Sequence, residues 1–210
     1  MCRWLAYAGP PIYLDTLLLR PENSLARQSL SASQSAHVVN ADGFGIGWYG
    51  DLGHPGLYKD ILPAWNDVNL LNISEQVKSH LFFGHVRATT GTSVNRTNCH
   101  PFRHGKWLFM HNGEIGGWSR VRRALAMAVS PELYPNIQGT TDSEIFFHLL
   151  ITFGLDEDPE AAIRQAEGCR RNRSLQHDHR ADRRTDHMGA APCLVGPGAD
   201  SLCRHGRQAP

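Results

Sequence analysis

With 210 residues, 41% of them apolar and 20% charged, the chain has the make-up of one soluble domain, and disorder throughout is excluded. Lys plus Arg number 21 against 20 Asp plus Glu, a net charge of +1 that leaves no single-sign field to gather phosphates or anionic lipids. Neither a nucleic-acid nor a membrane partner is therefore expected, and a small molecule is. The longest nearly apolar run, Ile145 to Leu155, is broken by His148 and falls far short of the roughly 20 residues that span a bilayer. Pro10, Pro11 and Asp15 interrupt any signal-peptide core, so the cytoplasm is the expected location. The five cysteines are irregularly spaced and make a poor disulfide framework.

In chain order, Arg3 to Ala8 alternates polar or small residues with apolar ones and predicts a strand. Phe44 to Tyr49 and Leu81 to Ala88 do the same, and Trp107 to His111 is a short apolar run of strand type. Asn66 is placed to cap a helix carrying Val68, Leu71 and Val77, and Trp118 to Val129 puts Val121, Leu125 and Ala128 on one face. The clearest helix starts at Thr141, where Thr-x-x-Glu forms a capping box ahead of the stripe Ile145, Phe146, Leu149, Leu150 and Phe153. A further short helix is predicted from Pro159 to Glu167. The order of elements points to one α+β domain with a largely antiparallel sheet.

The composition breaks near Gly168. The last 43 residues hold eight Arg, four His and three Cys but no Phe, Trp, Tyr, Ile, Lys or Glu. Eight Arg against four Asp give this segment +4, and the first 167 residues carry −3. Leu175, Leu194, Leu202, Val195 and Met188 are nearly all it offers to a core. One reading is a disordered basic arm. The other, which the joint loss of Lys, Ile, Glu and aromatics favours, is a GC-rich gene read out of frame. The expected organisation is a domain over 2–167 and an aberrant Arg/His/Cys-rich tail over 168–210.

Several residues have the chemistry of a site. Once Met1 is removed, as small second residues permit, Cys2 would carry a nucleophilic thiol and a free α-amine together. An α-amino group titrates near 7.7–8.0 and a thiol near 8.5, so a neutral amine can take the thiol proton at ordinary pH. A second-position cysteine is also common by chance, so the rest of the chain must support this reading. His111-Asn112-Gly113 ends an apolar strand; alone it reads best as a hairpin turn, yet the Gly amide and the Asn side chain can also hold an oxyanion. Arg87 is either an exposed-face arginine or a guanidinium placed for bidentate capture of a carboxylate. Asp142, in the first turn of the Thr141 helix, either complements the helix dipole or binds an ammonium.

Other patterns are weaker. Gly45, Gly47 and Gly50 spell G-x-G-x-x-G, but Asp51-Leu52-Gly53-His54-Pro55 follows where a dinucleotide site needs a helix. Close strand packing or backbone approach to a ligand is the better account of these glycines. Cys99, His100, His104 and His111, and separately Cys169, His177 and His179, lack paired ligand spacing, so no metal and no other cofactor is expected.

Six segments occur in an informative order: Met1-Cys2-Arg3, Asn40 to Gly45, His85-Val86-Arg87-Ala88-Thr89, Asn98-Cys99-His100-Pro101-Phe102, Phe109 to Gly113, and Thr141-Asp142-Ser143-Glu144. In these the chain resembles the class II glutamine amidotransferases, N-terminal-nucleophile hydrolases with an αββα sandwich, over about residues 2 to 155. It is most similar to stand-alone members, including the ergothioneine-pathway amidohydrolase that removes a γ-glutamyl group. The resemblance implies Cys2 as nucleophile and base, Asn112 and Gly113 as oxyanion hole, Arg87 on the substrate α-carboxylate and Asp142 on its α-ammonium. Asn98 and His100 match a segment beside the site and receive no chemistry. Whether Thr89 or Thr90 takes the substrate-contacting threonine's role is left open.

The implied reaction is hydrolysis of a glutamine or γ-glutamyl amide through a Cys2 thioester. A homodimer or an ammonia-accepting partner is compatible with the family, and neither is identifiable from the residues. Relatives of this type continue past the Pro159 helix into further strands and a DG-type turn, and none is readable after Glu167. The sandwich is therefore expected to lack C-terminal strands, with open edges and exposed apolar surface. On that basis the chain as written is expected to fold poorly or to be inactive, and the alternative to an enzyme is an inactive truncated remnant or binding module with the same pocket.

Overall fold

The structure, a computed structural model, describes residues 2–31, 41–88, 93–177, 193–195 and 202–203. It divides into two compact units, one of Met1–Asn112 with Pro192–Arg207 and the other of Gly113–Ala191 with Gln208–Pro210.

The first unit holds all the described strands. β1 (Arg3–Tyr13), β2 (Phe44–Trp48), β3 (Gly56–Asp60) and β4 (Lys78–Val86) form an antiparallel sheet in the order β1-β4-β2-β3. β4 is central: Val86 lies opposite Arg3 on one side and Phe44 on the other. β5 (Phe102–His104), β6 (Trp107–Met110), β7 (Cys193–Val195) and β8 (Leu202–Cys203) form a second antiparallel sheet in sequence order.

Period-two alternation gives the first sheet two apolar faces. On one, Phe82 and Val86 of β4 and Phe44 and Ile46 of β2 pack with Leu14, Leu18, Leu25 and Leu70. These leucines come from the short helices α1 (Asp15–Leu18) and α2 (Leu25–Ser31), from α3 (Val68–Gln76), and from the residue before α1. On the other face, Phe83 and Tyr49 meet Leu108 and Met110 of β6, flanked by Trp4, Leu57 and Leu81, so the two sheets stack. β2 contributes Gly47 at this interface, where a Cβ would lie 2.8 Å from Leu108 and 2.9 Å from Pro101. The glycine is what lets the second sheet close on the first.

α3 differs in detail from its sequence reading. Asp67, not Asn66, is its cap, accepting the Leu70 amide at 2.6 Å. Val68 and Leu71 are exposed and Leu70 and Ser74 are buried, because the face that packs on the first sheet's core is the one carrying Leu70, Ile73 and Val77. The carboxylate of Asp67 also accepts Tyr58 Oη from β3, which ties the edge strand to the helix start.

The second unit is helical, with α4 (Trp118–Ala126), α5 (Asp142–Thr152) and α6 (Pro159–His177) packed on one another. Val121 and Leu125 are the buried side of α4, as their spacing predicts. Thr141 caps α5 by accepting the Glu144 amide at 3.3 Å. The return half of the capping box departs from expectation: the Glu144 carboxylate reaches past Thr141 to the amides of Gln138 at 2.9 Å and Gly139 at 2.7 Å. At its other end α5 stops in a left-handed Gly154 (φ +83), with the Leu155 amide returning to Leu150 and that of Gly154 to Ile151. This is the paired hydrogen-bond arrangement that closes helices with a glycine. α5 is buried beyond one stripe, since Phe147 and His148 are covered as well as Ile145, Phe146, Leu149 and Leu150.

Among the described residues after Glu167, α6 continues for three more turns to His177 and two short strands follow. Met110 lies opposite Cys193 and Phe109 opposite Leu194, and Leu194 is buried. Cys-Leu-Val is the longest apolar run of that segment, and the apolar β6 offers it an edge of unpaired amides and carbonyls. The rest of the Arg- and His-rich tail, His179 included, lies outside the described residues.

Candidate active site

The register Arg3 to Val86 and Trp4 to His85 puts Cys2 across from Arg87, where β1 begins and β4 ends. Cys2 is half-buried, and its Sγ donates to the Ala88 carbonyl at 3.4 Å and accepts the Ala88 amide at 3.3 Å. Asn112, two residues past β6, donates Nδ2 to the Cys2 carbonyl at 3.3 Å. The hairpin reading of Asn112-Gly113 is corrected: β6 pairs with β5 and with the distant β7, and the segment directly after Gly113 leads into the helix Trp118–Ala126. One N–H of the Asn112 side chain holds the carbonyl of Cys2, just before β1, rather than closing a turn.

Arg87 is 4% exposed, which removes its exposed-face alternative. Its Nη1 and Nη2 both donate to the Ser93 carbonyl at 3.1 Å, and the buried Asn98 donates Nδ2 to the same oxygen at 3.1 Å. Neither Ser93 nor Asn98 carries a sequence signature of this contact, since the shared acceptor is a main-chain carbonyl. Their role here is to bring the chain after Arg87 back onto the guanidinium. Asn40, Thr89 and Thr90 lie outside the described residues.

Two residues before Arg87, near the end of β4, is His85, whose ring lies tilted by 36° against that of His100 with centroids 4.6 Å apart. His100 in turn meets the edge of Phe102. Burial, reinforced by the Arg87 charge, pushes His85 down to about 3. Burial likewise holds His100 well below the usual histidine range, with His85, His111, Lys59 and Arg87 adding to the effect. The pair is therefore neutral at ordinary pH. Gly45 of β2, in register with His85, makes the room, since a Cβ there would overlap the His100 carbonyl oxygen. Gly43 is left-handed (φ +108) and faces Cys99 Sγ. β2 is followed by bends and then β3, so these glycines serve close backbone approach and open no helix.

Cys99 is fully buried, and burial pushes its thiol up against the opposing pull of Arg87 and Lys59. A protonated, covered thiol is a poor nucleophile, whereas the Cys2 thiol is only half-buried. Lys59 donates Nζ to the Cys99 carbonyl at 2.9 Å and lies 5.2 Å from the Phe102 ring centroid. Among the described residues no group of three or more His, Cys, Asp or Glu is placed to hold a metal ion, Cys99, His100, His104 and His111 included.

Gly113 and Asp142 belong to the second unit. Asp142 is the first residue of α5 and 9% exposed. Its Oδ2 accepts the Ile115 amide at 2.6 Å; its Oδ1 accepts the Ser143 amide at 2.7 Å and the Ser143 hydroxyl at 3.3 Å. No sequence pattern marks Ile115, because its contribution is a backbone N–H. His85, by contrast, was legible from period-two spacing to Arg87.

Comparison with known proteins supplies the frame for these groups. The family described as class-II glutamine amidotransferases matches residues 22–178. The probable glutamine amidotransferase DUG3 of Saccharomyces cerevisiae is 41% identical over 160 residues, covering 72% of this chain and 45% of that protein. The γ-glutamyl-hercynylcysteine sulfoxide hydrolase of Mycolicibacterium smegmatis is 32% identical over 158 residues, covering 74% of this chain and 65% of that protein. The chain thus spans about half to two thirds of the length of these relatives. Among solved structures, a glutamine aminotransferase class-II domain protein from Silicibacter pomeroyi superposes with a TM-score of 0.67 at 31% identity, over 93% of this chain and 73% of that one. Glutamine PRPP amidotransferase from B. subtilis shares the fold, with a TM-score of 0.58 at 18% identity over 93% of this chain and 35% of that one. The α+β fold of N-terminal-nucleophile type, the αββα class expected from the sequence, is the fold of this chain.

Proposed function

Because the chain belongs to the class II glutamine amidotransferases, we propose that it hydrolyses the side-chain amide of glutamine or of a γ-glutamyl conjugate, with Cys2 as nucleophile. The α-amine of Cys2 takes the thiol proton, and the sulfur attacks the γ-glutamyl carbonyl carbon. The Asn112 side chain and the Gly113 amide receive the negative charge on the carbonyl oxygen. Collapse of the adduct expels ammonia or an amine, which carries off the proton held by the α-amine, and leaves a γ-glutamyl thioester. Water attacks the thioester, gives one proton back through the amine to sulfur, and glutamate leaves. Arg87 pairs with the substrate α-carboxylate and Asp142 with its α-ammonium.

The observation that carries the proposal is the meeting of Cys2, Arg87 and Asn112 in one unit: sulfur on the residue after Arg87, and the Asn112 amide on the carbonyl of Cys2. The finer reading is a γ-glutamyl intermediate of the ergothioneine pathway as substrate and the cytoplasm as location. The substrate half of that reading is supported by the likeness to γ-glutamyl-hercynylcysteine sulfoxide hydrolases.

The test is glutamate release from glutamine and from a panel of γ-glutamyl amines by protein lacking Met1. The expected result is hydrolysis of at least one γ-glutamyl compound, abolished in Cys2→Ala. Folded, processed protein that hydrolyses none of them is the inactive remnant, and the proposal fails.

A further inference from the structure

Asp142 has more hydrogen-bonding work than an ammonium contact requires. An ionised carboxylate offers about four lone-pair positions, and three are taken: by the Ile115 amide at 2.6 Å, the Ser143 amide at 2.7 Å and the Ser143 hydroxyl at 3.3 Å. One position, on Oδ2, is left for a substrate. Bonds of this kind, from amide to carboxylate, are about twice as strong as neutral ones, and the buried setting keeps water from competing. The Ser143 bonds are local, within the first turn of α5. The Ile115 bond is not: it crosses 27 positions of sequence to fix the segment Gly113-Glu114-Ile115, in which Glu114 is exposed and Ile115 is 1% exposed.

Gly113 lies two residues before that tether. A glycine has the widest backbone freedom of any residue, so its amide direction is not set by its own side chain. It is set by what holds its neighbours. We infer that Asp142 is a positioning residue for the Gly113 amide, holding it through Ile115, so that one carboxylate both reads the substrate ammonium and orients the oxyanion donor. This rests on the proposed function of Gly113 and deepens it. An ammonium arriving at Oδ2 engages the same atom that anchors Ile115, so binding of an α-amino substrate and readiness of the oxyanion group are coupled at a single oxygen. A substrate without the amine leaves that oxygen to the tether alone.

The test compares Asp142→Asn with Asp142→Ala in the full-length chain, by steady-state kinetics on the best γ-glutamyl substrate and by amide hydrogen exchange at Ile115. Both variants lack the charge, so both raise KM. They part in kcat: Asn keeps one carbonyl oxygen that can accept the Ile115 amide, and Ala keeps none. The expected result is a kcat for Asp142→Ala at least ten-fold below that of Asp142→Asn, against the 10²–10³-fold cost of removing an oxyanion donor outright. Ile115 exchange is expected to be slow in the wild type, faster in Asn and fastest in Ala. Equal kcat in the two variants, or an unprotected Ile115 amide in folded wild type, overturns the inference. If Asp142→Ala does not fold, the exchange of wild type against Asp142→Asn decides: protection that falls in Asn by the same factor as kcat supports the tether, and unchanged protection overturns it. Wild-type protein inactive on every γ-glutamyl compound instead sinks the function proposed above, a result distinguishable from failure of the tether because Ile115 exchange is read without turnover.

Discussion

The two faces of the first sheet are built from the same strands by different rules. One face of β4 and β2 presents Phe82, Val86, Phe44 and Ile46 to leucines and is apolar throughout. The other begins the same way at Phe83 but, toward the end where β4 meets Cys2, turns to His85 on β4 and Arg87 just past it, and to Gly45 on β2 and Gly43 just before it. In place of large side chains stand Gly45, which admits the backbone of His100, Gly43, which faces Asp60 and the Cys99 sulfur, and polar groups that need partners. The first face contributes stability through area removed from water. The second gives up that contribution to hold charge and sulfur in place, the expected arrangement where a functional site departs from packing rules.

The largest effect should come from the polar face. Cys2→Ala is expected to lower glutaminase or γ-glutamyl hydrolase activity by at least about 10³-fold while shifting stability by no more than about 1 kcal/mol, since loss of a covalent nucleophile is not a packing defect. Measured activity and a denaturant melt together check this. On the apolar face the pattern reverses: Phe82→Ala, at a residue 1% exposed, is expected to cost about 3–5 kcal/mol in unfolding free energy with activity per folded molecule retained. A variant that melts normally would show that this face is not the core.

Gly45→Ala probes the boundary. Its Cβ would meet a backbone oxygen that cannot rotate away, so a loss of about 1–3 kcal/mol is expected in urea unfolding, together with reduced activity because the His100 segment must shift. The neutral histidines make a pH prediction. His85 is pushed down to about 3 from 6.5, so between those values the unfolded chain binds the proton and the folded one does not. Stability is then complete above about pH 6.5 and declines as pH falls toward 3, by on the order of 4 kcal/mol from this residue. Thermal melts from pH 7 to 4 should show that decline in the wild type and a shallower one in His85→Phe. The smallest effect is expected at Gly50, whose Cβ would meet nothing within 4 Å: Gly50→Ala should stay within about 0.5 kcal/mol of the wild type in the same melts.

What could be read from the sequence followed its periodicity. β1, β2, β4 and β6 lie where alternation or an apolar run placed them, and Thr141 caps α5 as the Thr-x-x-Glu pattern requires. α1 and α2 escaped because four and seven residues are too short to show a 3.6-residue period. β3, half-buried along its whole length, shows no alternation to detect. β7 and β8 are three and two residues long and depend on a neighbour's edge, which no local pattern reveals. Of the candidate site residues, Cys2, Arg87 and Asn112 meet in one unit. The groups that hold them, the Ala88 backbone and the Ser93 carbonyl, are main-chain atoms without a sequence signature.

The most direct test is the intact mass of the protein after treatment with a diazo-ketone glutamine analogue, followed by peptide mapping. The prediction is a chain without Met1, carrying one γ-glutamyl-type adduct on the Cys2 sulfur, with hydrolytic activity lost in step with labelling. Full activity in a chain that retains Met1, or inactivation with the adduct on any residue other than Cys2, would contradict it.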